Sequence, residues 1–267
     1  MQGKISFLFL GDVIGRPGRR GVIQHLSGLK KKYNPDFIIA NGENAAGGIG
    51  LTEKTGRELL AHIDLLTSGN HIWDKKNALE YLDTETRVIR PHNYPQPCPG
   101  RGAVILTHKS GTKAAFLNLQ GRVFMEPVDC PFRAADEKVD ALREETPVII
   151  VDFHAEATSE KQAMGWFLDG KVSMVLGTHT HVPTADDRIL PKGTGYITDI
   201  GMVGAYNSVI GIRRRPAIDR FLTARPQRFE PSKNGFILSG IYGEVDSVSG
   251  RTLHFERVKI IEENGGG

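Results

Sequence analysis

Short apolar runs recur along this chain, and each breaks on polar residues. Ile5 to Leu10 leads to Asp12, Phe37 to Ala40 to Glu43-Asn44, and Leu65-Leu66 to Asn70-His71; Val148 to Val151 leads to His154, and Val172 to Leu176 to Gly177-Thr178-His179-Thr180-His181. Runs this short, nearly continuous and rich in β-branched residues are what strands covered on both faces of an α/β sheet require. In such sheets the carboxyl ends of the parallel strands share one edge, where ligands gather. The polar clusters are therefore expected to converge.

The stretches between the runs have helical spacing. Pro17 suits the first turn of a helix reaching about Tyr33, with His25, Leu26 and Leu29 on one face. A second helix is expected to begin at Thr52, whose hydroxyl can cap it, and to turn Leu59, Leu60 and Ile63 inward. With a strand at Leu65 to Thr67 the order is β-α-β-α-β, and right-handed crossovers would bring the three loops to one sheet edge.

The middle of the chain changes character. Residues 91–101 are rich in Pro and Gly; Ala103 to Leu106 and Ala114 to Leu119 flank Lys109-Ser110-Gly111-Thr112 as a hairpin would. Gly121 to Pro131 reads as an irregular loop over the sheet and 134–143 as a helix. Val148 to Phe153, a helix near Glu160 to Leu168 and Val172 to Leu176 restore the alternation. Further strand-like pieces begin at Thr194 and end in Gly235 to Val245 and Thr252 to Ile261 around a polar turn. The expected fold is α/β: two mixed β-sheets packed face to face with helices outside, four layers in all, formed by residues 1–267 as one domain without internal repeat or linker.

Composition bounds the chemistry. A chain of 267 residues, 39% of them hydrophobic, can bury a full core. Lys and Arg exceed Asp and Glu by 34 − 31 = 3, a balance that does not by itself call for nucleic acid. No apolar run approaches the roughly 20 residues of a membrane span, and Met1-Gln2-Gly3-Lys4 lacks a signal-peptide layout. Cys98 and Cys130 are too few for a disulfide scaffold, so a reducing cytoplasm is expected. The closing Gly265 to Gly267 is expected to fray.

Asp, Glu/Asn, Asn/His, His and His/His at strand ends are metal-ligand types, and their convergence points to a metal pair. Oxygen and imidazole donors without thiolate suit iron, manganese or similar first-row ions and exclude a Cys-based zinc finger. Two cations about 3.5–4 Å apart need a shared anionic ligand against their repulsion.

In sequence order the motifs are Gly11-Asp12-Val13-Ile14-Gly15, Asn41-Gly42-Glu43-Asn44, Gly69-Asn70-His71-Ile72-Trp73, Asp152-Phe153-His154-Ala155-Glu156, Gly177-Thr178-His179-Thr180-His181 and Thr198-Asp199-Ile200-Gly201-Met202. With them the chain resembles the calcineurin-like metallophosphoesterases, in particular their small bacterial YmdB-type branch. Ile14 stands where the wider superfamily has the His of Asp-x-His, and Glu43 replaces the usual bridging Asp; both are features of that branch. The resemblance implies two metal ions per chain, one held by Asp12, Glu43, Asn44 and His181, the other by Glu43, Asn70, His154 and His179. It also implies phosphodiesterase activity on cyclic nucleotides, with 2′,3′-cyclic forms favoured and 3′,5′-cyclic AMP a further candidate. A hydroxide between the metals would attack phosphorus, the Asn70 amide would help neutralise its oxygens, and His71, oriented by Asp74, would protonate the leaving oxygen.

Plainer roles stand beside these. His25, His62, His108 and His254 are expected to be structural, and His92 to occupy a turn. Asp12 could cap a helix and Asn44 could occupy a left-handed turn without losing metal binding. Asp199 could orient a ligand His or merely end a strand. Gly47, Gly48 and Gly50 lack dinucleotide-binding spacing and suggest a mobile loop. Arg213-Arg214-Arg215 could grip phosphate or RNA, though a solvated loop before Pro216 is favoured. Arg122 to Phe132, with Phe124 and Met125, could lid the site or pack a subunit contact. A phosphomonoesterase or nucleotidase, and a regulatory nucleotide-sensing scaffold with weak hydrolysis, remain alternatives. A small phosphodiester is the expected partner; RNA, a regulatory protein and a second copy of the chain stay open, and no membrane is expected.

Overall fold

The hydrophobic alternation along the first strand sets the architecture. In β1 (Lys4–Val13), Ile5, Phe7 and Phe9 point into a core between two sheets, while Leu8 and Leu10 point into a core beneath helices. Because successive strand side chains leave on opposite faces, a strand apolar on both must be covered on both. The computed structural model describes residues 3–263, so Gly265 to Gly267 lie outside the described residues.

The first sheet follows from the opening β-α-β-α-β. Helix α1 (Gly15–Tyr33) joins β1 to β2 (Phe37–Asn41), and α2 (Glu53–Leu60) joins β2 to β3 (Leu65–Thr67), with both strand pairs parallel. Thr52 caps α2 through a reciprocal capping box with Thr55. Helix α1 begins ahead of Pro17, at Gly15, whose φ of 57° allows the sharp turn out of β1. After β3, a short helix α3 (Ala78–Thr84) leads toward the Pro-rich stretch.

The second sheet starts from the predicted hairpin, β4 (Ala103–Thr107) antiparallel to β5 (Lys113–Gln120). Helix α4 begins at Pro131 rather than near 134 and runs to Arg143. It leads to β6 (Ile149–His154), α5 (Thr158–Leu168) and β7 (Met174–Thr178). Then come β8 (Arg188–Ile189), β9 (Gly195–Ile197) and β10 (Met202–Gly204). The last strands among the described residues are β11 (Phe236–Asp246) and β12 (Thr252–Glu262).

Each sheet has six strands, ordered β12-β11-β10-β1-β2-β3 and β4-β5-β6-β7-β9-β8. Phe7, Phe9, Ile39 and Ile241 of the first pack with Phe116, Ile150 and Leu176 of the second. Leu26, Leu29, Leu59 and Leu60 cover the outside of the first sheet; Ala135, Val139, Met164 and Leu168 cover the outside of the second. The expected four layers are present.

One arrangement shapes the site directly. β1 pairs antiparallel with β11 from Lys4 to Leu10, then the two strands part and the short β10 enters between them, parallel to β1 at Asp12 and Val13. The approach is close: the Asp12 amide donates to the Gly201 carbonyl at 3.1 Å, and a Cβ on Gly11 would collide with that carbonyl.

Arg213 ends a loop as the N-cap of a helix, but Arg214 and Arg215 do not belong to that loop. Arg214 opens α6 (Arg214–Thr223), and Pro216 lies in its first turn, where a missing amide hydrogen costs little. The favoured reading as a solvated loop before Pro216 is corrected in that respect, although these arginines do reach solvent.

Candidate metal and catalytic site

Carboxylates, amides and imidazoles from both sheets meet at the carboxyl ends of the parallel strands. Asp12 sits within the end of β1 rather than beyond it, Glu43 and Asn44 follow β2, and Asn70 opens a 3-10 turn (Asn70–Trp73) after β3. His154 ends β6, while His179 and His181 follow β7.

The contacts sort these residues into two groups that share Glu43. His154 Nε2 lies 3.1 Å from Glu43 Oε1, 3.1 Å from Asn70 Oδ1 and 3.0 Å from His179 Nδ1. Around the other side of Glu43, Asn44 Nδ2 lies 3.1 Å from Oε1 and 3.3 Å from His181 Nε2, which is 3.8 Å from Asp12 Oδ1. Turning the Asn44 amide over would present its oxygen to the same point. Asp12, Glu43 and His154 are wholly buried. Asp12 Oδ1 has no hydrogen-bond partner among the described residues, and an orphaned buried carboxylate oxygen calls for a cation. This donor set fits a metal pair.

Charge on the cluster reinforces that fit. Burial opposes ionisation of both Glu43 and His154, yet their mutual attraction outweighs it, holding Glu43 down to about 2 and pushing His154 up to about 9. Burial, followed by repulsion from the His154 imidazolium, pushes His179 down to about 3; burial likewise lowers His181. Asp12 is pushed well above the usual carboxylate range, first by burial and then by Glu43 and neighbouring carboxylates against the counteracting His154. Glu43 thus favours a proton on His154, which offsets part of the negative charge of the buried carboxylates.

The surrounding residues fix which ring nitrogen faces the cluster. His154 Nδ1 meets Thr178 Oγ1 at 2.9 Å, and that hydroxyl donates to Asp152 at 2.7 Å; Asp152 also accepts from Thr67 and from Asn41 Nδ2. His179 turns Nε2 to Glu156 at 3.1 Å, and His181 donates Nδ1–H to the Ile210 carbonyl at 3.0 Å. Outer partners of this kind set tautomer and orientation in metal sites. Both His179 and His181 have left-handed backbone, with φ of 98° and 67°. Strain in two nearby polar residues is tolerated where the surrounding contacts enforce it, as happens at functional sites. A Cβ on Gly69 would strike His154 and Glu43, so that position admits only glycine.

Asp199 orients no ligand imidazole directly. Its carboxylate takes Lys161 Nζ at 2.8 Å and both the amide and hydroxyl of Thr180, holding the residue between His179 and His181. Asp12 does not cap α1, whose N-cap is Ile14 without a side-chain bond, and Asn44 is not in left-handed backbone. His71 Nδ1 lies 2.6 Å from Asp74, as the spacing suggested, and its backbone amide donates to Glu43 Oε2.

The histidines set aside as structural stay apart from the cluster: His25 stacks on Phe236, His108 faces Asp36, and His254 faces Glu256. His92 occupies a turn. Glu156, Lys161, Thr178 and the Ile210 carbonyl were given no role by sequence reasoning. Glu156 and Thr178 lie inside two of the motifs, but nothing in the sequence signals the carbonyl.

A family model described as YmdB-like protein matches residues 8–258. The chain is 47% identical over 261 residues to the 2′,3′-cyclic-nucleotide 2′-phosphodiesterase of Bacillus subtilis (strain 168), a match covering 97% of this chain and 98% of that relative. The crystal structure of a hypothetical protein from Thermus thermophilus matches with a TM-score of 0.90 at 43% identity, over 97% of this chain and 100% of that one. A crystal structure titled as a novel phosphatase, from Mycoplasma pneumoniae, matches with a TM-score of 0.93 at 38% identity, over 99% and 96% of the two chains. With its motifs, its two-sheet sandwich and these relatives in agreement, the chain belongs to the YmdB-like protein family.

Proposed function

We propose that this chain hydrolyses cyclic nucleotides, opening 2′,3′-cyclic phosphodiesters at the 2′ ester, with two iron or manganese ions at the seam between the sheets. As a member of its family it is a metal-dependent phosphodiesterase; the substrate is carried over from the Bacillus subtilis relative's activity. The observation that carries the reading is the gathering of Asp12, Glu43, Asn44, Asn70, His154, His179 and His181 around buried carboxylate oxygens, one of them without a partner.

Asp12, Glu43, Asn44 and His181 would hold one ion, and Glu43, Asn70, His154 and His179 the other. When bound, such a pair lowers the pKa of water and neutralises phosphate charge. The chain's own residues do the rest. Asn70 orients the phosphate from beside His154, and the imidazolium of His71 gives its Nε2 proton to the departing O2′. Because a carboxylate only accepts, Asp74 fixes the Nδ1–H of His71 and supports its charge. Water supplies the new P–O bond, the P–O2′ bond breaks, and a 3′-phosphate with a free 2′-hydroxyl remains.

Both sheets contribute to one cluster, which favours reading residues 1–267 as one domain. No helix among the described residues is long and apolar enough to cross a membrane; with two free cysteines, the cytoplasm is the proposed location. The Mycoplasma pneumoniae neighbour's title supports a monoesterase reading as the runner-up. Metal-loaded protein should hydrolyse bis-p-nitrophenyl phosphate and 2′,3′-cyclic AMP faster than p-nitrophenyl phosphate, and Glu43→Gln or Asn70→Ala should abolish turnover. Unchanged turnover in Glu43→Gln at full metal occupancy would reject the site, and preference for the monoester would select the runner-up.

A further inference from the structure

Charge is unevenly spread over this protein. Between residues 213 and 233, Arg213, Arg214, Arg215, Arg220, Arg225, Arg228 and Lys233 face only Asp219 and Glu230, a local excess of 7 − 2 = 5. The whole chain has an excess of 3, so the remainder is net negative by 3 − 5 = −2. A cavity of about 520 Å³ opens where α6 begins, lined by Arg213, Arg214, Arg215, Glu230 and Lys233 among others. Arg213 pairs with Glu230 and Arg215 with Asp219. Among the described residues Arg214 and Lys233 have no ion pair, leaving their charge available to an anion.

Aromatic side chains accompany these cations. Phe221 on α6 is 84% exposed, and the Arg220 guanidinium lies over the Phe229 ring at 5.3 Å from its centroid. Exposed rings interleaved with Arg and Lys suit single-stranded nucleic acid, whose bases stack on aromatic faces while its phosphates meet the cations. The region adjoins the candidate metal site through bonded residues. Ile210, whose carbonyl accepts the hydrogen bond from His181 Nδ1–H, precedes Arg213 by three residues, so their Cα atoms are at most about 11 Å apart. On the other side, Pro231 packs so closely on Gly15 and Gly48 that neither has room for a Cβ.

We propose that the Arg213–Lys233 region is a docking track for single-stranded RNA, making the 2′,3′-cyclic phosphate at the end of an RNA strand a substrate. The proposal deepens the cyclic-phosphodiesterase reading and rests on it for the identity of the strand's end. A mononucleotide has one phosphate, spent at the metal site, and leaves the basic cavity unfilled. A strand brings further phosphates. DNA lacks the 2′-hydroxyl needed to close a 2′,3′-cyclic phosphate, which selects RNA. The chemistry is unchanged: water adds to phosphorus, the P–O2′ bond breaks, O2′ takes the proton, and the strand leaves with a 3′-phosphate.

The test pairs binding with turnover. Fluorescence anisotropy follows a labelled RNA hexanucleotide ending in 3′-phosphate, a product that needs no catalysis to be bound, in competition with 3′-AMP. The hexanucleotide should bind the wild type at least about tenfold more tightly than 3′-AMP, and more weakly as salt rises from about 50 to 200 mM. Combined Arg214→Ala and Lys233→Ala should remove that advantage, and Phe221→Ala should reduce it about fivefold or more. The ratio of kcat/KM for the hexanucleotide 2′,3′-cyclic phosphate to that for 2′,3′-cyclic AMP should fall in the same order.

Equal binding of hexanucleotide and 3′-AMP, or undiminished RNA binding by the folded double variant, overturns the track. Sedimentation separates another occupant of the Ile218, Phe221 and Leu222 face. Dissociation of a dimer by Phe221→Ala with RNA binding intact would assign that face to a second copy and overturn the proposal. Failure to hydrolyse either cyclic substrate would count against the cyclic-phosphodiesterase reading, while anisotropy would still decide whether RNA binds here.

Discussion

The two sheets bring different chemistry to the seam between them. The first contributes Asp12, Glu43, Asn44 and Asn70, all oxygen donors, while the second contributes His154, His179 and His181, all imidazoles. Their backbones differ too: both histidines after β7 occupy left-handed conformations, but none of the oxygen donors does. Sheet geometry suffices to place an acid at the end of a strand. The two imidazoles after β7 reach the seam through strained backbone, held here by Thr180 on Asp199 and by the Ile210 carbonyl, whereas His154 reaches it from within β6 without such strain. Neither half of the sandwich has the proposed ligand set for an ion by itself, so ion binding should report on the packing of both.

The largest expected effect comes from breaking the shared point. Glu43→Gln should reduce turnover at least about a thousandfold, the scale on which a principal electrostatic stabiliser acts, and should lower metal content in the same preparation. Retention of both would place the shared ligand elsewhere. On the imidazole side, Lys161→Met leaves Asp199 buried and unpaired. Thermal or urea unfolding should show a loss of about 3–5 kcal/mol, with a disproportionate fall in metal affinity as Thr180 loosens. Equal stability of mutant and wild type would exclude Lys161 as support for the strained turn.

His71 separates chemistry from assembly. His71→Asn should lower kcat about a hundredfold while leaving metal stoichiometry unchanged, and an activated substrate such as bis-p-nitrophenyl phosphate should lose much less. An equal loss with both leaving groups would contradict its role as an acid.

A pH series sharpens the comparison further. In metal-free protein, His154 is raised from an ordinary value of about 6.5 to about 9 by Glu43 despite burial. Its contribution to stability is therefore complete below about pH 6.5 and lost as pH rises through about 9, on the order of 3 kcal/mol. Metal-free His154→Asn should lack this decline. In the loaded protein the direction reverses for binding: the ion must displace the His154 proton, so metal affinity should weaken as pH falls below about 9. Titration calorimetry in buffers of different ionisation enthalpy would detect the released proton.

Both halves were legible as strand ends, Val148 to Val151 and Val172 to Leu176 leading to His154, His179 and His181 as plainly as the runs before the oxygen donors. Phe37 to Ala40 and Leu65 to Thr67 are plain apolar runs, and Glu43 and Asn70 lie just beyond them, so strand ends predicted where they would meet. The strain at His179 and His181 has no local signature, since left-handed φ there depends on Asp199, Lys161 and Ile210, distant in sequence. The pairing of β1 with β11 joins residues more than two hundred positions apart, and β10 is too short for its alternation to register. α6 was hidden by its composition: Arg214, Arg215 and Pro216 obscure its start, while exposed Phe221 and Leu222 blur any inward stripe.

Diffraction at the manganese absorption edge from crystals of manganese-loaded protein tests the central claim most directly. Two anomalous peaks should appear, each within coordinating distance of a Glu43 oxygen, one beside Asp12 and His181 and the other beside Asn70, His154 and His179. A single peak, or two that leave Glu43 outside both coordination spheres, would contradict a shared metal centre at the meeting of the two sheets.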